Sequence, residues 1–94
     1  MSTKIFIPTP LRAYAGNHAE VEVSAQNVNE ALANLVEQHP ALREHIFDAG
    51  GTIRSFVNIY LNDEDIRYLS EERSRLAGRD TIIIIPAIAG GGAR

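Results

Sequence analysis

A chain of 94 residues with net charge −3, 45% hydrophobic and 22% charged residues, suffices for one domain and is too apolar to stay disordered. It has no cysteine, which excludes disulfides, zinc–thiolate sites, iron–sulfur ligation and a cysteine nucleophile within it. Acidic and basic residues are interspersed, so nothing favours nucleic acid or an anionic membrane surface, and no apolar run approaches the roughly 20 residues of a bilayer span. The opening residues carry one lysine and no long apolar stretch, so no signal peptide is read there and a cytoplasmic protein is expected.

In chain order, Thr3 to Pro8 alternates Ile5 and Ile7 with Lys4 and Phe6, a short strand that Pro8 and Pro10 end. Residues 11–17 form a connection containing the breaker pair Gly16-Asn17, with Leu11 expected to fold back onto the core. Ala19 to Ser24 alternates cleanly and reads as a strand with one wet face. Asn27 followed by Glu30 forms a capping box. Val28, Ala31, Leu32, Leu35 and Val36 then mark one apolar stripe on a helix, which Pro40 stops. Residues 41–47 read as a short helical turn and residues 48–52 as a loop.

Ile53 to Asn62 reads as the longest strand, with Phe56, Asn58 and Tyr60 on one face and Val57, Ile59 and Leu61 on the other. The alternation favours the second set for the core. It leaves open which sheet face the helix covers, and so whether Phe56, Tyr60 and Tyr68 pack or meet a partner. Asn62 to Asp65 reads as a tight acidic turn, Ile66 to Leu69 as a short edge strand, and Ser70 to Leu76 as a turn or short helix.

The chain closes on Thr81 to Arg94, TIIIIPAIAGGGAR. The β-branched run Ile82 to Ile85 is stiff and strand-forming, and its continuity suits a central, well-buried position. Gly90-Gly91-Gly92 has no side chains and no preferred conformation. The order is β-β-α-β-β-β, an α+β fold in which one main helix covers one face of a mixed sheet of about five strands. The first and last strands are expected side by side and parallel in the middle.

The remaining chemistry-bearing residues form no familiar constellation. His18, His39 and His45 lack metal-ligand spacing and read as surface or packing residues. Arg12, Arg67, Arg73 and Arg75 either meet acidic groups of a partner or balance charge. Gly90 to Gly92 follow a strand but precede no helix, which excludes a phosphate-binding glycine loop.

Three stretches carry a family resemblance. They are the first strand with Pro8-Thr9-Pro10-Leu11-Arg12, the segment from Phe56 through Asn62-Asp63-Glu64-Asp65-Ile66 to Arg67, and Gly78-Arg79-Asp80-Thr81 with Ile85-Pro86-Ala87-Ile88-Ala89-Gly90-Gly91. On these the chain resembles the ubiquitin-like sulfur carriers, which include the small subunit of molybdopterin synthase and the thiamine-pathway carrier. The cysteine-biosynthesis carriers are the nearest match. The resemblance implies the β-grasp fold, with residues 1–87 as the domain and 88–94 as a glycine-rich tail.

It further implies a carrier and co-substrate, with no catalytic residues, bound cofactor or metal of its own. An E1-like adenylating enzyme would use ATP to activate the carboxylate of Gly91, and a sulfur donor would convert it to a thiocarboxylate. A PLP-dependent cysteine synthase, or the large subunit of molybdopterin synthase, would accept the sulfur. Ala89, Gly90 and Gly91 would enter the partner's active site. Members usually end at the glycine pair, so Gly92, Ala93 and Arg94 would be removed first, by a metalloprotease that could also release product. Phe56, Tyr60, Tyr68 and Arg67 are the candidate partner interface. A protein modifier forming isopeptide bonds through the same glycine is the second reading, and a plain β-grasp binding module the third.

Overall fold

The computed structural model describes residues 2–70 and 74–86. Five strands form one sheet: β1 (Thr3–Phe6), β2 (Glu20–Val23), β3 (Val57–Leu61), β4 (Glu64–Asp65) and β5 (Thr81–Pro86). Their spatial order is β2-β1-β5-β3-β4. β1 and β5 run parallel in the centre, with Ile5 beside Ile82 and Phe6 beside Ile83. β3 pairs antiparallel with β5 from Val57–Pro86 to Leu61–Ile82. This is the β-grasp arrangement that the order of elements leads to.

Helix α1 (Val28–Gln38) buries all five residues of its predicted stripe. Its start is the capping box: the Glu30 amide donates to Asn27 Oδ1 at 2.8 Å. The Glu30 carboxylate reaches back to the Gln26 amide, one residue earlier than the standard motif. The stripe lies on Ile5, Ile7, Val21, Val23, Val57, Ile59, Leu61, Ile82 and Ile84, which are buried with it. Leu11 is buried as expected, but residues 9–15 form a 3-10 helix in place of an irregular connection. It ends where Gly16 and Asn17 take left-handed backbone, φ 64° and 65°.

Three readings need correction. The longest strand is β5, because the expected strand from Ile53 begins only at Val57. A bridge pairs Ile53 with Phe47, and the Arg54 amide donates to Ile46 O at 2.9 Å, tying that stretch to α2 (Arg43–Ile46). A turn bond from the Val57 amide to Arg54 O then redirects the chain. The edge strand falls at Glu64–Asp65, and residues 66–68 are a 3-10 turn. Asn62 and Asp63 both have positive φ, so the chain reverses early and pairing starts immediately. Asp65 then accepts the Arg67 amide and caps that turn. Finally, the isoleucine run is central but buried on one face only: Ile82 and Ile84 are enclosed, while Ile85 is 46% exposed.

The expected turn between Ser70 and Leu76 includes residues outside those described. The same holds for the predicted tail 88–94 and for the domain boundary at residue 87.

Candidate functional site

Among the described residues one helix covers one sheet face, and the other is left open. The open face carries the odd positions of β5 and their neighbours: Phe6, Ile83, Ile85, Asn58 and Tyr60, with Lys4, Glu20 and Glu22 toward the β2 edge. Phe6 and Tyr60 flank Ile83 from either side, because β1 and β3 both pair with β5 at that residue. Phe6 is 39% exposed. The result is a small apolar centre, bordered by charge, on a rigid sheet.

Of the four predicted interface residues, Tyr60 and Arg67 belong to this face. Arg67 is held flat beside it. Its guanidinium donates to both carboxylate oxygens of Asp65, the closer contact at 2.9 Å, and to Asn58 Oδ1. The Arg67 side-chain bonds to Asp65, then the Arg67 amide bond and charge attraction, hold the Asp65 carboxyl below its ordinary range, and the same side-chain bonds and attraction raise Arg67 above its own. A depressed carboxyl stabilises the fold above its unfolded-state range, and that contribution is lost as pH falls through the folded value. Carboxyl NMR of Asp65 should therefore titrate below an ordinary aspartate, and Arg67→Ala should move it upward. An unmoved midpoint would show that the pair does not set it. Phe56 and Tyr68 are placed differently. Phe56 precedes β3 and has the Arg54 guanidinium 6.0 Å from its ring centre. Tyr68 stands on the 3-10 turn, almost wholly exposed.

Phe6, Ile83 and Ile85 were missed. The signal was present: Phe6 and the odd isoleucines lie opposite Ile5, Ile82 and Ile84 in the alternation, and a single helix cannot cover both sides.

β5 is paired as far as Pro86, beside Val57. The predicted reacting residue Gly91, its neighbours Ala89 and Gly90, and the Gly92, Ala93 and Arg94 extension lie beyond it, outside the described residues. Among the described residues no group of three or more His, Cys, Asp or Glu is arranged to hold a metal. No helix among them is long and apolar enough to cross a membrane.

A parallel central pair in a mixed five-stranded sheet, with one helix across it, defines the ubiquitin-like β-grasp class. The ThiS family model matches residues 5–91, so the chain belongs to that family. The sulfur carrier protein CysO of Mycobacterium tuberculosis (strain H37Rv) is 33% identical, over 97% of this chain and all of that one. The structure of the Amycolatopsis orientalis BexX/CysO complex superposes with a TM-score of 0.82 at 30% identity, covering 95% of this chain and 99% of the matched one. Small archaeal modifier protein 1 of Methanosarcina acetivorans superposes at 0.83 and 30% identity, covering 96% of each.

Proposed function

We propose that the chain is a sulfur carrier whose Gly91 carboxylate, freed from Gly92-Ala93-Arg94, is activated and converted to a thiocarboxylate. The observation that carries this reading is where the family match stops. It runs through β5 and Pro86 to Gly91 and leaves the last three residues outside. A protease would hydrolyse the Gly91–Gly92 peptide bond. The new carboxylate would attack the α-phosphorus of ATP on an E1-like enzyme, giving an acyl-adenylate and pyrophosphate. Sulfide from a donor would then displace AMP and leave a C(=O)S⁻ end. The carrier is the co-substrate of these steps and its partners are the catalysts.

The composition suits the role. Without cysteine, the chain has no thiol to compete with the terminal sulfur. Glycine at the reacting position leaves no Cβ beside the carbonyl, so both adenylation and attack have clear approaches. The similarity to CysO supports delivery to a PLP-dependent cysteine synthase, with a metalloprotease for trimming or release. The molybdopterin or thiamine pathway is the alternative delivery, since the tail chemistry is shared.

Partner docking is assigned to the open sheet face. Charged residues at its border fit steering, and the apolar centre fits the desolvated core of an interface. Phe6→Asp and Ile85→Asp should each weaken binding to the adenylating enzyme at least about tenfold, the size of a modest hot spot. Thermal melts of both variants separate lost docking from lost fold, since each side chain is partly buried on a central strand. Unchanged affinity in both variants would place docking elsewhere.

The direct test is ATP-dependent pyrophosphate release with a cognate adenylating enzyme. A chain ending at Gly91 should support it and the 94-residue chain should not. A specific observation favours a second reading alongside the first: the similarity to a small archaeal modifier protein. The same activated glycine would then also acylate lysines of other proteins. The sole lysine, Lys4, would limit chains of this protein to that site or the N-terminus.

A further inference from the structure

The end of the sheet where β5 exits also gathers all three histidines. They are far apart in sequence, and each arrives on a different element. His18 follows the 3-10 helix of residues 9–15, His39 closes α1, and His45 lies in α2. His45 is engaged, stacked on Tyr14 with ring centres 4.1 Å apart. His18 and His39 are not. Their rings are tilted neighbours, with centroids 6.2 Å apart and planes inclined by 56°. Among the described residues neither imidazole makes a hydrogen bond or ion pair.

The backbone beneath them is fixed. The His18 amide donates to Ala15 O at 3.1 Å, the Asn17 amide to Arg12 O at 2.7 Å, and the His39 amide to Leu35 O at 2.9 Å. Gly16 lies between the two rings. A Cβ there would stand 3.2 Å from His18 Cδ2, 3.5 Å from His18 Nε2 and 3.8 Å from His39 Cε1. The edge of His18 that carries Nε2, and the Cε1 of His39 that lies between its two nitrogens, therefore both border a position that carries no side chain.

We propose that His18 and His39 together bind one borderline divalent transition-metal ion, with Zn²⁺ and Ni²⁺ as the representative class. An ion about 2.1 Å from each donor nitrogen sits about 3.2 Å from each ring centre, so two imidazoles sharing it at a cis-octahedral or tetrahedral angle have centroids about 4.5–5.2 Å apart. The observed 6.2 Å is about 1 Å wider than that, a gap that rotation of the two rings about their side-chain bonds closes. Two neutral nitrogen donors without a carboxylate select against Ca²⁺ and Mg²⁺, which require oxygen ligands. With only two protein ligands the site is exchangeable. Its remaining coordination positions are filled by water or by a donor atom from a protein docked at this end. The inference is independent of the carrier reading, since it uses neither the tail nor the open sheet face.

The test is a ZnCl₂ titration of the full chain followed by calorimetry and by long-range ¹⁵N spectra of the imidazoles. One equivalent should bind, moving the His18 and His39 ring nitrogens together and leaving His45 in place. His18→Gln and His39→Gln should each weaken binding at least about tenfold, while His45→Gln should not. Melting curves of the three variants without metal identify any that fail to fold. In such a variant the wild-type imidazole shifts alone decide. Zinc binding that leaves the His18 and His39 nitrogens unmoved overturns the proposal. So does wild-type affinity in a folded His18→Gln or His39→Gln chain, or no binding at millimolar zinc.

Discussion

Gly91→Leu, in a chain ending at residue 91, is expected to lower adenylation by at least about 10²-fold while leaving the fold intact. The reaction needs the terminal carboxylate in line with the α-phosphate of ATP inside a partner's active site. A displacement of about 1 Å from that geometry already costs about 10²-fold. A branched side chain on the reacting residue crowds the carbonyl itself. The fold is expected to tolerate the change, because among the described residues the core pairing of β5 is complete by Pro86, beside Val57, five positions earlier. Pyrophosphate release measures the first effect and a thermal melt the second. If the leucine variant were activated as well as the parent, neither the carrier nor the modifier reading would survive.

The second large effect separates two adjacent residues of β5. Ile84 is 1% exposed and pairs with Ile59 beneath α1, whereas Ile85 is 46% exposed on the open face. Ile84→Ala removes buried methyl groups and leaves a cavity, costing about 3 kcal/mol. For a domain of this size that lowers Tm by about 12–24 °C. Ile85→Ala should cost clearly less, about 1 kcal/mol, because nearly half of its surface stays in water on folding and no enclosed cavity is left. Chemical denaturation of the pair checks the difference. Equal losses would mean that the two faces are not distinguished as the register requires.

That contrast also shows where sequence reasoning reaches and where it stops. The α1 stripe from Val28 to Val36, its Asn27 cap and its Pro40 stop were legible because each is a local signal with one physical meaning. The parallel centre of the sheet followed from the order of elements and from the strength of Ile82 to Ile85 as a strand. A four-residue apolar run does not reveal that one of its faces is bare. That depends on how many helices are available to cover the sheet, and among the described residues only α1 is long enough.

The boundary errors have a similar origin. Ile53 to Phe56 alternates like a strand, yet the bond from the Arg54 amide to Ile46 commits it to α2. Ile66 to Leu69 has strand composition, but Asp65 captures the Arg67 amide and winds the chain into a turn. In both places a specific tertiary or side-chain bond outweighed a weak β preference. Among the predicted interface residues, Tyr60 was placed by strand parity. Arg67 reached the same face through Asp65 and Asn58, which no spacing rule anticipates. The His18–His39 pair was invisible for the same reason: 21 positions separate the two residues, and only the packing of residues 9–15 against the end of α1 joins them.

The central claim is that Gly91 becomes the sulfur-bearing terminus. Intact mass of the protein isolated from its native host under sulfur demand tests it most directly. The predicted result is a species ending at Gly91 with sulfur in place of one carboxylate oxygen. Protein still ending at Arg94, with no truncated or thiolated form under any growth condition, would contradict both the trimming and the carrier role.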